Sequence, residues 1–292
     1  MKKVTGIVAE GPIDHMVLKT VINRITGEGH IYRHIQPEQD LLGKYGNGWK
    51  GVYRWCENNA ELITALFTEI FPALDLLIIH MDGDVARKEK EVHCQCESTV
   101  CTGKNSESPL LCMRLKEGGC PVVLPCSDHD NSPEGCRKHL NELILSLLKG
   151  ASCKESIREK ILVVIPCDST DTWTASAFEE DITAVEEIAD PWDRIITLKK
   201  DFHGIRIPGH KKSTAVYRLF LPQIADRWDT VTRRCKSAKK LEDDIRTWQK
   251  KLLSDSFVRR AGQEAHWNPD SNLRFLPAEI LSISVHAARG RI

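Results

Sequence analysis

An α/β fold with a mainly parallel sheet is what this sequence predicts, and three observations carry the prediction. Strand-like apolar runs alternate with helical stretches between residues 3 and 182, the pattern that βαβ units produce. One run, "LDLLIIHMD", is almost continuously apolar, as a central strand covered on both faces must be. Breaker and capping residues punctuate the runs at the expected places.

Taken in order, "KVTGIVA" (3–9) is a strand that Glu10-Gly11-Pro12 interrupts. Asp14 is placed to cap a helix through "HMVLKTVINRI". "HIYRHIQ" (30–36) is a second strand, and the glycine-rich "GKYGNGWKG" (43–51) reads as a loop. "NNAELITALFTEIF" has helical periodicity, and "LDLLIIHMD" follows as the third strand. From Glu89 to about Pro133 the periodicity vanishes in a polar stretch rich in Cys and Gly. "PEGCRKHLNELILSLLKG" (133–150) is a helix that Gly150 would end. "KILVVIPC" (160–167) is the fourth strand, and "DSTDTWTASAFEEDI" a helix opening on Asp168 or Ser169. Beyond residue 190 the chain is mostly helical and basic, and the tail could add a short strand. Two parts are thus expected: 1–190, the α/β domain with a Cys-rich insertion at 89–133, and 191–292, a mainly helical basic region packed on it. Trp173 and Trp228, at apolar helix positions, are expected in the core.

The 292 residues are enough to bury a substantial core. Lys+Arg and Asp+Glu are equal at 41 each, so net charge does not advertise nucleic acid, although basic residues can still cluster locally. No apolar run approaches the ~20 residues of a membrane span. The start "MKKVTGIVAEG" has two lysines and no apolar leader, so a cytoplasmic protein is expected.

Acidic residues gather where strands end. Glu10 closes the first strand, Asp82 and Asp84 the third, and Asp168 and Asp171 follow the fourth. In parallel α/β sheets, ligands bind beyond these carboxyl ends. If the strands are neighbours, the carboxylates converge, and an oxygen-rich cluster suits Mg²⁺ or Mn²⁺. Taken singly, each Asp reads equally as a turn former or a helix cap. Lys211 and Lys212, in the loop "GHKKS", are candidates for stabilising developing negative charge, or simply a solvated loop.

"IVAEGPID" followed by "LLIIHMDGD" resembles the TOPRIM domain shared by topoisomerases, primases and old-family nucleases. The resemblance implies a TOPRIM-like Rossmannoid sheet in which Glu10 is a metal ligand or general acid/base and Asp82 and Asp84 are metal ligands. "NGWKGVYRWC", "VVIPCDSTDTW", "HKKSTAVYR" and "RWDTVTRRCKSAKKLEDDI" extend the likeness over most of residues 4–245. Together they look like an uncharacterised TOPRIM-like family found beside ATPase genes in bacterial defence loci. Where that family has Glu-x-Trp, this chain has Asp171-Thr172-Trp173, which keeps the charge on a shorter arm. The resemblance implies metal-dependent phosphodiester cleavage, nucleic acid as substrate, and a role in antiviral defence or abortive infection. The chain has no Gly-x4-Gly-Lys-Ser/Thr phosphate loop, so the ATPase the resemblance implies would be a separate subunit.

Eleven cysteines are many for a chain expected to stay reduced. Cys94, Cys96 and Cys101, with Cys120, Cys126 or His129, offer a structural zinc set that would give order to a segment without hydrophobic period. The paired Cys-x2-Cys spacing is missing, and thiols without metal explain the same residues. The functions in competition are a Mg²⁺- or Mn²⁺-dependent nuclease and a non-catalytic adaptor with a degenerate TOPRIM fold that docks an ATPase or nucleic acid. A phosphatase or nucleotide hydrolase using the same acids is a third.

Overall fold

A computed structural model describes residues 2–37, 47–87, 129–148, 155–197 and 201–265, with side chains to residue 254. Four strands form one sheet: β1 (Val4–Val8), β2 (Ile31–Gln36), β3 (Leu76–His80) and β4 (Ile161–Val164), in the order β2-β1-β3-β4. Every pair is parallel, with Thr5 beside Leu76 and Leu77 beside Ile161. The predicted α/β class with a parallel sheet is therefore what the chain adopts.

The sheet is covered on both sides. Helix α1 (Pro12–Thr26) joins β1 to β2, and α2 (Gly48–Asn59) and α3 (Ile63–Thr68) lead back across β1 to β3. Because the first crossover runs one way along the sheet and the second the other, right-handed connections put these helices on opposite faces. The α1 side chains Val17, Leu18, Val21, Ile22 and Ile25 are buried at helical spacing. On the opposite face, Val8, Leu77 and Ile79 share one core with Trp55, Ile63 and Phe67 of α2 and α3. Helix α4 (Pro133–Leu148) completes that core with Cys136, Leu140, Ile144 and Leu148, one every turn. Residues of the other parity, Ile7, Ile78 and His80, are buried toward α1.

After the short helix α5 (Glu155–Arg158) and β4 comes α6 (Asp171–Phe178), buried from Asp171 to Ala177. Next are α7 (Pro191–Thr197) and a hairpin of β5 (Asp201–Phe202) with β6 (Ile205–Arg206). Its two-residue turn places His203 and Gly204 at positive φ, the geometry that matches hairpin twist. Helices α8 (Thr214–Asp226), α9 (Trp228–Arg234) and α10 (Lys236–Ala265) follow, and α8 packs on α1 and α6. Trp173 and Trp228 meet edge to face at 5.6 Å, both buried as expected, and Trp173 Nε1–H donates to Ser237 Oγ at 3.1 Å. The chain divides into two compact units, Met1–Gln249 and Lys250–Ile292.

Some expectations shift. The loop read at 43–51 gives way to helix at Gly48, because Asn47 is extended and can precede a first turn. Asp14 does not cap α1: Gly11 takes that position, with Pro12 in the first turn where its missing N–H costs nothing. Helix α6 begins at Asp171, not at 168 or 169, because Asp168 is left-handed with φ 62°. Residues 89–128 of the Cys-rich stretch and the tail beyond 265 lie outside the described residues. The flanks of the former segment are joined: His129 Nε2 donates to the Ala86 carbonyl at 2.8 Å. No helix among the described residues is long and apolar enough to cross a membrane.

Candidate metal centre

The order β2-β1-β3-β4 puts the reversal of winding between β1 and β3. At that switch point the two crossovers diverge and leave a crevice beyond the strand ends. Glu10 leaves β1 there and Asp82 leaves β3. The Glu10 carboxylate accepts the Asp82 backbone N–H at 2.8 Å, while the Glu10 carbonyl accepts from Gly48 N–H at 2.9 Å.

The turn after β3 is a 3-10 segment, Gly83–Ala86. Gly83 is required: a Cβ there would sit 2.3 Å from the Pro166 carbonyl oxygen and 3.1 Å from Asp168 N. That close approach lets Asp84 N–H donate to the Asp168 carbonyl at 2.8 Å, so the ends of β3 and β4 are laced together.

Two groups of three close ligand atoms result among the described residues, each set within 4.8 Å: Asp14, His80 and Asp82, and Asp84, Asp168 and Asp190. The two aspartates of "DGD" thus belong to different groups. In the first, Asp14 is buried at the start of α1 and its Oδ1 accepts from Thr170 Oγ1 at 3.0 Å. His80 Nε2 lies 3.5 Å from Asp82 Oδ1. In the second, Arg87 reaches Asp168 at 2.8 Å and Asp190 at 3.3 Å. A cavity of about 350 Å³, lined in part by Gly83, Arg87, Asp168, Glu186 and Asp190, opens beside it.

Asp171 and Lys212 close the far side. Lys212 Nζ donates to Asp171 Oδ2 at 2.7 Å and stands 5.6 Å from the Tyr217 ring centre. Lys211 is exposed and makes no such approach.

The electrostatics are those of crowded, desolvated acid. Burial, then Asp14 and Asp84, push Glu10 up to about 8 against the opposing Asp82 N–H and Lys212. Burial, followed by Asp14, Glu10 and Asp84, holds Asp82 well above the usual carboxylate range. Burial also raises Asp171 despite its lysine. Burial opposes the charged form of Lys212, but Asp171, Asp82 and Asp14 outweigh it and raise the ammonium. His80 is pushed down by burial.

The residues fit a cation. His80 Nδ1 and Nε2, Asp82 Oδ1 and Asp171 Oδ1 are buried without a hydrogen-bond partner among the described residues, and such atoms call for a ligand. Of the residues the sequence singled out, Glu10, Asp82, Asp84, Asp168, Asp171 and Lys212 all line this region. Cys94, Cys96, Cys101 and Cys126 lie outside the described residues. His129 is described, 3.8 Å from Cys136 Sγ and stacked on His139.

Three residues went unread, His80, Arg87 and Asp190, and Asp14 was read only as a helix cap. Strand parity gave a signal for His80, two residues before Asp82 and so on the same face. No family model, curated protein or solved structure matches this chain.

Proposed function

We propose that this chain is a divalent-metal-dependent nuclease with a TOPRIM-like fold, the effector of an anti-phage system that works with a separate ATPase. The observation that supports this reading is the convergence of Glu10 and Asp82 at the β1/β3 switch point, joined by a 2.8 Å hydrogen bond. Glu after the first strand and Asp-x-Asp after the third is also the order that the motif resemblance requires.

Asp82 and Asp84 would each hold a Mg²⁺ or Mn²⁺ ion, one in each group, with Asp168 beside Asp84 and Asp171 beyond them. A divalent ion there would polarise a phosphate oxygen and make a bound water more acidic. Glu10 titrates near 8 in the metal-free chain, a range in which a carboxyl can both take and give a proton at neutral pH. Lys212 brings positive charge to the same crevice, where a phosphodiester gains negative charge in its transition state. The basic helices α8 to α10 offer phosphate contacts that carry no sequence information.

One observation favours the adaptor reading. Arg87 already pairs with Asp168 and Asp190, and Lys212 with Asp171, so part of the acid is neutralised from within.

The two separate in one experiment. Labelled plasmid, linear DNA and tRNA are incubated with Mn²⁺, Mg²⁺ or EDTA, beside Asp82→Ala. Cleavage that needs metal and disappears in the variant is expected, and its substrate names the nucleic acid. Cleavage that persists in Asp82→Ala overturns the assignment.

A further inference from the structure

We propose that His80 and Asp14 join Asp82 in a mixed nitrogen and oxygen cation site, one that takes Mn²⁺ or a similar transition ion in preference to Mg²⁺. This rests on the metal reading of the crevice and specifies which residues and which ion.

The placement follows from the fold. His80 is the last residue of β3 and Asp82 lies two further on, so both side chains leave the strand on the α1 side. Asp14 stands in the first turn of α1, with its side chain buried on the same side. The three donate ligand atoms within 4.8 Å of one another. His80 Nε2 and Asp82 Oδ1 are 3.5 Å apart. Two ligands on one ion, with bonds of roughly 2.0–2.2 Å, stand roughly 3.0–4.4 Å apart.

The second observation is independent of the acids. His80 is fully buried and neither ring nitrogen has a hydrogen-bond partner among the described residues. A structural core histidine bonds at least one nitrogen, as His15 does to the Gln36 carbonyl and His30 does to Thr5 Oγ1. The His80 ring instead aims Nε2 at a carboxylate oxygen that is itself unpartnered, at a separation too long for a hydrogen bond between them. An ion between two such atoms satisfies both.

The nitrogen decides the metal. Mg²⁺ keeps oxygen ligands and much of its water, whereas imidazole suits Mn²⁺, Fe²⁺, Co²⁺ and Zn²⁺. A site with one buried imidazole and two carboxylates therefore disfavours Mg²⁺.

The full chain, stripped with EDTA, is titrated with MnCl₂ and MgCl₂ by calorimetry, and its Mn²⁺ form is examined by pulsed electron paramagnetic resonance for ¹⁴N coupling. Mn²⁺ is expected to bind more than about tenfold tighter than Mg²⁺, with nitrogen coupled to the ion. His80→Gln is expected to abolish the coupling and weaken Mn²⁺ about 10- to 100-fold, whereas His15→Gln keeps the coupling. The wild-type spectrum needs no variant to fold. Mn²⁺ bound without nitrogen coupling, or with a coupling that survives His80→Gln, overturns this inference and leaves the metal reading intact. No binding of either ion overturns both. Nitrogen coupling that is lost in His80→Gln upholds this site whether or not the chain alone cleaves nucleic acid.

Discussion

The Glu10 carboxylate accepts the backbone N–H of Asp82 at 2.8 Å, so the strand that carries the second acid anchors the first. Charge and hydrogen bond can be separated at this position. Glu10→Gln keeps an oxygen acceptor and removes a costly buried charge. Its metal-free unfolding midpoint at pH 8 should equal or exceed that of the wild type. Glu10→Ala orphans the Asp82 N–H and should cost about 1–3 kcal/mol. Both should lose metal-dependent cleavage by at least about 100-fold, the low end of a general acid/base contribution. A Glu10→Gln chain that still cleaves at the wild-type rate removes Glu10 from the chemistry.

The raised acids predict a stability that falls with pH. Glu10 titrates near 8 in the fold against an ordinary 4.5, so the folded chain holds a proton that the unfolded chain has released. Stability therefore declines as pH rises through that interval. His15, at about 4 against 6.5, and His30, His34 and His80, also lowered by burial, act in the opposite sense until the unfolded imidazoles have lost their protons, roughly one pH unit above 6.5. From about pH 7.5 to 8.5 the raised carboxyl groups outweigh them among the described residues, and the melting midpoint in EDTA should drop. Mn²⁺ should raise the midpoint more at about pH 8.5 than at about pH 7.5, since at the higher pH it displaces fewer protons. A metal-free midpoint that climbs over that interval contradicts this charge arrangement.

Lys212 pairs with an Asp171 carboxylate of which 4% is exposed, while 31% of its own side chain stays open. Lys212→Met should therefore destabilise by about 1–3 kcal/mol, less than a fully buried pair would lose. Adding Asp171→Asn should restore most of that loss by removing the stranded charge. Cleavage should stay depressed in both chains. A double variant as unstable as the single one, in urea unfolding, means the pair does not govern this site.

Gly83 has the Pro166 carbonyl 2.3 Å from where a Cβ would stand. Gly83→Ala must push the ends of β3 and β4 apart and break the Asp84–Asp168 backbone bond. The expected cost is about 1–3 kcal/mol in urea unfolding, with weaker Mn²⁺ binding by calorimetry. Gly29→Ala, at a position with open space around it, is the control and should change neither.

Much of this was legible because it is local. An apolar run identifies β3 whatever lies around it, and the breaker Glu10-Gly11-Pro12 marks the end of β1. Glu10, Asp82 and Asp84 were readable because they stand at strand ends. Asp14 was misread because an acid in the first helical turn has a sufficient local explanation as a cap, and only the fold shows it turned inward. His80 was hidden in its strand, since an apolar run containing one histidine looks like core. Asp190 and Arg87 come together across more than a hundred residues of chain, through Asp168 in a left-handed conformation that no periodicity reports. The β5–β6 hairpin is too short for alternation to register, although His203-Gly204 would have marked its turn.

The hydrogen bond from His129 Nε2 to the Ala86 carbonyl holds the two flanks of segment 88–128 side by side. Such a junction works as a socket. Chain of almost any length or composition can be spliced there, because each doubling of a closed loop costs only about 0.6 kcal/mol. For the engineer, Arg87 and His129 mark where the native passenger can be cut out and a foreign domain installed with the acids left in place.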